Sequence, residues 1–251
     1  MTPNSGPRLG AWITMNSPSA VEQIAQLGFD FVCLDGQHGL LGYTEIRDGL
    51  LAITAGGSAT PFVRVTANDA GEIGRVLDAG AQGVIVPLVD TAEDARRAVR
   101  AARYPISGGG RSYSPVRLGR HFGSTPAQTD GNVTVLAMIE TRSGLEHAEQ
   151  ILDTEGIDGI FVGPYDLSLA LGAVVPFAEE VVEELEDALS GLSAAAEKRG
   201  KIAGIYCGSG ADARRRIEQG FGLLNTATDI VALREGMGQE LREARSSITP
   251  D

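Results

Sequence analysis

Short apolar runs alternate with amphipathic segments along the whole chain. The apolar runs are rich in β-branched residues, and the segments between them carry apolar residues three and four positions apart, as helices that pack one face on a sheet do. This alternation predicts parallel strands joined by crossover helices. Eight strands are predicted, at Leu9–Met15, Phe29–Leu34, Pro61–Val65, Gly83–Pro87, Val133–Ile139, Gly159–Val162, Ile202–Tyr206 and Gly222–Thr226.

Eight strand–helix units favour a closed (β/α)8 TIM barrel, an α/β fold, over an open doubly wound sheet, which usually has a glycine-rich first turn that is absent here. The length of 251 residues fits one such barrel. We predict a single domain over residues 1–251, with flexible ends at residues 1–8 and 246–251.

Two insertions interrupt the alternation of strands and helices, at Tyr104–Asp130 and around Pro176, ahead of a predicted helix Phe177–Arg199. Loops as long as the first are usually functional or mobile.

Composition narrows the choice of partners. The chain has 33 acidic and 21 basic residues and a formal net charge of -12, which disfavours nucleic acid and anionic membrane surfaces as partners. An anionic substrate would therefore need a local positive centre, such as a divalent cation with one or two arginines. Cys33 and Cys207 each lie in an apolar run, so we expect no disulfide framework and a cytoplasmic location. The first residues lack the features of an export signal, and no apolar run is long enough to span a bilayer.

Polar residues cluster just after the predicted strands, where (β/α)8 enzymes place their active sites. Asp35-Gly36-Gln37-His38-Gly39 follows the second strand, and Arg64 lies in the third. Glu140-Thr141-Arg142 follows the fifth strand, and Gly163-Pro164-Tyr165-Asp166-Leu167-Ser168 follows the sixth. We expect these segments to meet at one site.

Glu140 and Asp166 are the candidate metal ligands. A hard divalent cation such as Mg²⁺ or Mn²⁺ prefers carboxylate oxygens and keeps several waters, so two carboxylates from adjacent strands are enough to hold it. The alternative is that both acids merely cap or charge the N-terminus of the following helix.

Three further residues are candidates for proton transfer and charge stabilisation. His38 suits a general base, and the nearby Asp35 would orient it and stabilise its charged form; the alternative is a solvent-exposed loop histidine. Arg64 lies in an apolar strand, so its guanidinium must meet an acid or a bound anion, and a structural salt bridge is the alternative. The helix opening at Gly163-Pro164 offers backbone N–H groups to a carboxylate, although many strand-to-helix turns share this feature.

The ordered motifs resemble those of the HpcH/HpaI aldolase family. The similarity runs from about Gly10 to Leu233, and the combination of DGxHG, IET and GPxDLS in that order is specific, whereas each motif alone is weak. The motifs are Asp35-Gly36-Gln37-His38-Gly39, Val63-Arg64-Val65 with Asn68-Asp69, Val86-Pro87, Arg103-Tyr104-Pro105, Met138-Ile139-Glu140-Thr141 and Gly159-Ile160-Phe161-Val162-Gly163-Pro164-Tyr165-Asp166-Leu167-Ser168.

The resemblance implies an enzyme that cleaves or forms 4-hydroxy-2-oxo acids, giving pyruvate and an aldehyde through a metal-bound pyruvate enolate. It implies a homo-oligomer, usually a hexamer or trimer of dimers, and Mg²⁺ or Mn²⁺ as cofactor, with Co²⁺ a further candidate. By motif position, Glu140 and Asp166 hold the metal, Arg64 polarises the C2 oxygen, and His38 handles the aldol hydroxyl proton. Asp35 then orients His38.

The remaining site residues implied by the resemblance are a second partner of His38 and a seat for the pyruvate carboxylate. Asp78 is the candidate second partner. The carboxylate seat is assigned to the backbone of Gly163, Pro164 and Tyr165, with Ser114 or one of its neighbours.

Three departures from the family pattern bear on specificity. Gln37 stands where the family has Glu, which removes a negative charge beside the metal waters and bears on metal preference and pH optimum. The segment GGGRSYSPVR is richer in serine and tyrosine than the family's. Tyr165 replaces a small residue, which narrows the mouth toward small aldehydes. Specificity is expected in Tyr104–Asp130, Tyr165, Leu169 and a neighbouring subunit.

Other mechanisms fit the residues less well. An imine mechanism is disfavoured because Lys198 and Lys201 precede the seventh strand, on the face opposite the site. An acyl-CoA lyase of the citryl or malyl type, or an oxaloacetate-decarboxylating enzyme, would use the same metal site. CoA phosphates need a basic cluster, and the chain offers only Arg96–Arg103 and Arg111–Arg120. A non-catalytic 2-oxo acid binding protein, suggested by Gln37, is the third alternative.

Overall fold

The chain folds as a closed barrel of eight parallel strands surrounded by helices, in a computed structural model that describes residues 6–115, 117, 123 and 125–246. The strands are β1 Arg8–Ile13, β2 Phe31–Asp35, β3 Thr60–Arg64, β4 Gly83–Val86, β5 Thr134–Ile139, β6 Gly159–Val162, β7 Ile202–Ile205 and β8 Leu223–Thr228. The helices are α1 Pro18–Ala25, α2 Tyr43–Gly56, α3 Ala70–Ala79, α4 Ala92–Ala102, α5 Pro126–Gly131, α6 Arg142–Glu146, α7 Ala148–Leu152, α8 Pro164–Ala170, α9 Val182–Lys198, α10 Gly210–Glu218 and α11 Asp229–Ser246.

The strands pair in sequence order, and β8 closes the barrel against β1. This confirms the predicted (β/α)8 barrel, and each observed strand end lies within two residues of its prediction. Of the ends predicted to be flexible, residues 1–5 and 247–251 lie outside the described residues, while Arg8 begins β1 and Ser246 ends α11.

Aromatic rings and glycines on neighbouring strands fill the barrel interior. Phe62 and Gly83 are register partners on β3 and β4, and a Cβ added at Gly83 would lie 2.2 Å from the Phe62 ring. Phe31 lies against Gly10 in the same way, as Phe161 does against Gly204 on β7. Because a ring on one strand occupies the space of a missing side chain on the next, the interior packs densely without strain.

The strand-to-helix turns begin helices at the C-terminal end of the barrel. The side chains of Asp69, Thr91, Thr141 and Ser209 each accept a hydrogen bond from the backbone N–H three residues later. These caps satisfy N–H groups that the helix itself leaves unpaired. Thr141 in this way fixes the turn directly after Glu140, whereas α2, which follows His38, and α8, which contains Asp166, begin without a side-chain cap.

Two predicted segments differ from what the structure contains. The helix predicted over Phe177–Arg199 begins only at Val182, after a 3-10 turn at Glu179–Val181, because Phe177 has φ 62°, a left-handed conformation that no α-helix contains. The insertion Tyr104–Asp130 includes a 3-10 turn at Pro105–Ser107 and the helix α5. It connects α4 to β5, so it starts and ends at the N-terminal face of the barrel.

The last helix, α11, packs differently from the other long helices. None of its 18 residues is buried, and its first residue holds it to β1, because the Asp229 carboxylate accepts hydrogen bonds from Thr14 N, Thr14 Oγ1 and Met15 N. Across the described part of the chain, no helix combines the length and hydropathy needed to cross a membrane.

Candidate active site

A cavity of about 360 Å³ opens at the C-terminal ends of the strands, a size within the usual range of small-molecule sites. Residues from β1, β2, β3, β5, β7 and β8, from the turn before α8 and from the start of α11 enclose it. Its lining consists of Trp12, Thr14, Asp35, His38, Arg64, Met138, Gly163, Pro164, Tyr165, Asp166, Tyr206, Thr228, Ile230 and Val231. A larger groove of about 1170 Å³ lies beside α4, and none of the predicted site residues lines it.

Arg64 and Asp35 form a buried ion pair at the floor of the cavity. The last residues of β2 and β3 are register partners, and Arg64 donates from Nε at 2.9 Å and from Nη2 at 2.6 Å to the two carboxylate oxygens of Asp35. The prediction that Arg64 meets an acid is confirmed. Its third nitrogen, Nη1, donates to Met138 Sδ at 3.9 Å, and sulfur is a weak acceptor that a ligand oxygen would displace.

Trp12 completes this arrangement and was missed by the sequence analysis. Its Nε1–H donates to Asp35 Oδ2 at 3.1 Å, and the Arg64 guanidinium carbon lies 5.2 Å from the centroid of its ring. The indole therefore contacts both members of the ion pair and restricts the orientation of Arg64. The one sequence feature that indicates this contact is the position of Trp12 in β1, which pairs directly with β2 and so with the strand of Asp35.

The electrostatics keep Asp35 ionised. Burial by itself raises the pKa of Asp35, but hydrogen bonds and charge from Arg64, with further bonds from Trp12 and the His38 N–H, outweigh burial and lower that pKa below its ordinary value of 3.8. A carboxylate that is ionised and bonded on both oxygens holds its partners in place. Asp35 thus acts here as the anchor of Arg64.

His38 lies exposed at the rim and lines the cavity. Asp35 Oδ1 accepts from the backbone N–H of His38 at 3.2 Å and of Gln37 at 3.1 Å. The contact with Asp35 therefore fixes the turn that carries the imidazole, and it runs through the backbone, whereas the sequence analysis expected an interaction with the ring.

Glu140 and Asp166 are brought to the same side of the barrel by β5 and α8. Glu140 is buried, and its Oε1 accepts from Leu88 N at 2.8 Å. Leu88 adopts a φ of 53°, a strained conformation for a side chain of this size, which aims its N–H at Glu140. Burial raises the pKa of Glu140, and the nearby charge of Asp166 raises it further, against the opposing effects of the Leu88 N–H and Arg64.

A glycine lets the backbone before α8 approach Glu140 closely. A Cβ added at Gly163 would lie 2.7 Å from Met138 Cε and 3.0 Å from Glu140 Oε2, closer than side chains normally pack. Asp166 is exposed and lies in the first turn of α8, on the cavity wall. Among the described residues, no group of three or more His, Cys, Asp or Glu side chains is arranged to hold a metal ion, so a cation here would depend on two carboxylates and water.

The proposed carboxylate seat is only partly available. Gly163 N–H donates to Ile139 O at 3.1 Å, and Pro164 has no N–H. Tyr165 therefore supplies the first N–H of α8, for which helix geometry provides no acceptor.

Two predicted site residues lie elsewhere in the chain. Asp78, near the C-terminal end of α3, pairs with Arg111 at 2.5 Å, and Ser114 is exposed in the segment that follows Arg111. Neither lines the cavity of its own chain. Both precede a strand in the fold, which places them at the N-terminal face of the barrel. Arg120, in the same predicted loop, lies outside the described residues.

The sequence comparisons agree with this geometry. The profile of the HpcH/HpaI aldolase/citrate lyase family matches residues 8–236. A hydroxypyruvate/pyruvate aldolase from Rhizorhabdus wittichii is 38% identical over 241 residues, covering 96% of this chain and 95% of that protein. A 5-keto-4-deoxy-D-glucarate aldolase from Klebsiella pneumoniae is 36% identical over 240 residues, covering 94% of this chain and 91% of that protein.

Solved structures show the same similarity in three dimensions. The crystal structure of a HpcH/HpaI aldolase/citrate lyase family protein from Burkholderia cenocepacia superposes with a TM-score of 0.83 at 30% sequence identity. The alignment covers 96% of this chain and 95% of that one.

Proposed function

This chain belongs to the HpcH/HpaI aldolase/citrate lyase family, and we propose that it is a metal-dependent aldolase that forms and cleaves 4-hydroxy-2-oxo acids. Pyruvate and an aldehyde are the products of cleavage. The chain is a carbon–carbon lyase, as its aldolase relatives are. Metal dependence and the substrates are the parts that we propose.

The observation that carries the proposal is that Asp166 and Arg64 line one cavity, with Glu140 buried directly beside Gly163 of its lining. Two carboxylates lie close enough for the charge of one to raise the pKa of the other, and the Arg64 guanidinium lines the same cavity. Without a cation, these two acids repel each other in a partly buried site. A divalent ion removes that repulsion, which supports a metal at this position.

The residues present fit a hard divalent cation. Glu140 is buried, and within the described residues its one hydrogen bond runs from Leu88 N to Oε1, which leaves Oε2 to bind a cation. Gln37 Oε1 is buried without a partner there, and a water molecule on a hydrated cation would satisfy such an acceptor. Bound Mg²⁺, Mn²⁺ or Co²⁺ would supply Lewis-acid stabilisation of the negative charge that develops on the C2 oxygen during cleavage.

Arg64 contributes a fixed positive charge that would stabilise the same C2 oxygen. Asp35 and Trp12 hold the guanidinium, so it does not need to reorganise when charge develops on the substrate oxygen. Donors of this kind stabilise the transition state more than the ground state. Removal of one such donor typically costs about 3–4 kcal/mol in activation free energy.

His38 is suited to the proton transfer that carbon–carbon cleavage requires. Cleavage of a 4-hydroxy-2-oxo acid removes the proton of the C4 hydroxyl, and synthesis returns a proton to the aldehyde oxygen. The imidazole lies at the cavity rim on a turn fixed by Asp35. In that position it can exchange the proton with solvent between turnovers.

The test is to incubate the protein with pyruvate, a panel of aldehydes, and Mn²⁺ or Mg²⁺. We expect aldol adducts whose formation stops when a chelator is added and resumes when the metal is restored. A complete lack of turnover across the panel, or turnover insensitive to chelation, would contradict the proposal.

An acyl-CoA lyase acting through the same residues is the alternative reaction, since the family description includes citrate lyase. Coenzyme A carries phosphates that need cations near the mouth. Among the described residues that line the cavity, Arg64 is the one arginine or lysine, and it is already paired with Asp35. Failure to cleave CoA thioesters, together with pyruvate-dependent aldol activity, would separate the two reactions.

We further propose that the chain functions as a cytoplasmic homo-oligomer, a hexamer built as a trimer of dimers. Helix α11 supports oligomerisation, because it exposes an apolar surface that an isolated chain would leave in water. Its exposed apolar side chains outside the cavity are Leu233, Met237 and Leu241. Cys33 and Cys207 are both free and buried, which suits a reducing compartment. Light scattering coupled to size exclusion would measure the mass, and a monomer at micromolar concentration would contradict the oligomer.

A further inference from the structure

The cavity has an aromatic and aliphatic wall that runs from Tyr165, beside Asp166, round to Trp12 on β1, and we propose that this wall selects uncharged aldehydes with an apolar tail as the acceptor. The inference rests on the proposed aldolase function and names the class of its second substrate. We define the acceptor wall as Trp12, Tyr165, Tyr206, Ile230 and Val231, all of which line the cavity.

The position of the acceptor wall follows from the closed barrel. Glu140 and Asp166 follow β5 and β6, so pyruvate is held on that side. Trp12, Tyr206 and Ile230 come from β1, from the end of β7 and from the residues after β8, which complete the circle on the other side. A molecule that joins pyruvate in the cavity therefore extends toward these residues.

The aromatic residues of the wall support each other. The ring centroids of Trp12 and Tyr206 lie 5.4 Å apart in an edge-to-face contact, and those of Tyr165 and Tyr206 lie 5.7 Å apart. Phe177 packs against the far side of Tyr165 at 4.7 Å. Interlocked rings of this kind make a fixed apolar surface, which suits hydrocarbon groups better than charged ones.

Three hydroxyl groups near the wall are already hydrogen-bonded within the protein. The hydroxyls of Tyr206 and Thr228 bond each other at 2.8 Å, and Thr14 Oγ1 donates to Asp229 at 2.7 Å. A carboxylate on the tail of an aldehyde would lose its water and meet only neutral donors, the hydroxyl hydrogen that the Tyr206–Thr228 pair does not use and that of Tyr165. Neutral donors replace only part of the hydration of a carboxylate, and incomplete compensation of its desolvation disfavours binding.

The charge of the cavity also opposes an anionic acceptor. With a divalent cation bound, its charge and that of Arg64 balance the three carboxylates of Asp35, Glu140 and Asp166. The carboxylate of pyruvate then adds a negative charge that no cation of the site balances, and a second carboxylate on the aldehyde would be repelled by it. Among the described residues of the lining, no cation remains to offset it, because Arg64 is engaged by Asp35.

The test compares three aldehydes that differ in one feature at a time: butanal, succinic semialdehyde and the methyl ester of succinic semialdehyde. The assay is aldol addition to pyruvate with saturating Mn²⁺. Since like charges in a confined site are strongly disfavoured, we expect kcat/KM for succinic semialdehyde to be lower than for butanal and the ester by about tenfold or more. Equal or higher kcat/KM for succinic semialdehyde would overturn the proposal, as would an ester that reacts as poorly as the acid.

A pair of variants on one helix tests the location. Val231→Arg places a cation on the acceptor wall and should raise the ratio of kcat/KM for succinic semialdehyde to that for butanal several-fold. Ala232→Arg is the matched control, since Ala232 is exposed on the same helix, does not line the cavity and is not among the apolar side chains proposed for the oligomer contact. An equal change in both variants, or no change in Val231→Arg, would show that the wall does not contact the aldehyde.

Exchange of the pyruvate methyl protons with deuterium separates failure of this inference from failure of the aldolase proposal, because exchange needs no aldehyde. Exchange without the expected aldehyde preference would reject only the acceptor class. Absence of exchange, with metal present, would reject the aldolase proposal and with it the inference that rests on it.

Discussion

Replacement of Trp12 by Phe tests whether the indole positions Arg64. The change removes the hydrogen bond from Nε1 to Asp35 Oδ2, which is 3.1 Å long and joins groups that are both 2% exposed. A buried hydrogen bond to a charged group contributes roughly 1.5–3 kcal/mol. With the void left by the smaller ring, we expect the free energy of unfolding to fall by about 2–4 kcal/mol.

The effect on catalysis distinguishes positioning from packing. In Trp12→Phe the guanidinium of Arg64 loses the ring that lies 5.2 Å from it, and a displacement on the order of 1 Å at a reacting group can cost about a hundredfold in rate. We expect kcat for oxaloacetate decarboxylation, which needs no aldehyde, to fall by about ten- to a hundredfold, with a smaller change in KM. The acid limb of its pH profile should move upward, since one of the donors that lower the pKa of Asp35 is gone.

Phe161→Leu is the matched control for packing. Phe161 is fully buried and stacks on Trp12 with ring centroids 5.5 Å apart. Its side chain has no hydrogen-bonding group, so it cannot hold Asp35 or Arg64 in place as Trp12 does. We expect a loss of stability on the order of 1–3 kcal/mol and nearly unchanged kcat. If both variants lost kcat equally, or if Trp12→Phe kept full activity, the positioning role of Trp12 would be refuted.

Two further predictions concern stability. Gly83→Ala should lower the free energy of unfolding, measured by urea titration, by about 1–3 kcal/mol, because the added Cβ overpacks against Phe62. Gly74→Ala is the control: an added Cβ there meets no atom within 4 Å, so the free energy of unfolding should rise by up to about 1 kcal/mol. An unchanged free energy of unfolding in Gly83→Ala would contradict this account of the barrel packing. The stability that ionised Asp35 provides should be fully present above its ordinary pKa of 3.8 and be lost as pH falls through its lower folded pKa. The difference in unfolding free energy between wild type and Asp35→Asn should therefore be about 3–5 kcal/mol near neutral pH, because the change leaves Arg64 buried without a charged partner, and should shrink in acid; a difference independent of pH would refute this assignment.

The strands and the end of the barrel that carries the site could be predicted because both follow from local pattern. Apolar runs set the strands, and residues directly after a parallel strand must lie at its C-terminal end. The positions of Glu140, Asp166 and Arg64 at this end of the barrel follow from that rule alone. Arg64 and Asp166 line one cavity, and Glu140 lies buried beside it, because the ends of all strands meet at one face of a closed barrel.

The pairing of Asp35 could not be read from distance along the chain. Proximity along the chain predicts that the Asp35 carboxylate serves His38, three residues away, but the nearest side chains of a strand belong to its neighbours in the sheet. Asp35 and Arg64 are register partners at the ends of β2 and β3, and their ion pair is the stronger contact. The same reasoning applied to β1 would have found Trp12.

The positions of Asp78 and Ser114 follow from topology that motif matching ignores. Asp78 lies two residues before Gly80, which ends α3 with φ 116° and directs the chain into β4. Residues at that point face the N-terminal end of the barrel. A role for either residue at an active site would therefore require the site of a neighbouring subunit.

The central claim, that Glu140 and Asp166 hold a cation that activates pyruvate, is tested most directly by nuclear magnetic resonance of pyruvate in deuterium oxide. The account predicts that wild-type protein with Mn²⁺ removed and Mg²⁺ added exchanges the methyl protons of pyruvate, and that Glu140→Gln, Asp166→Asn and chelator each abolish exchange while the variants remain folded. Exchange that persists in both variants, or that continues in the presence of chelator, would contradict it.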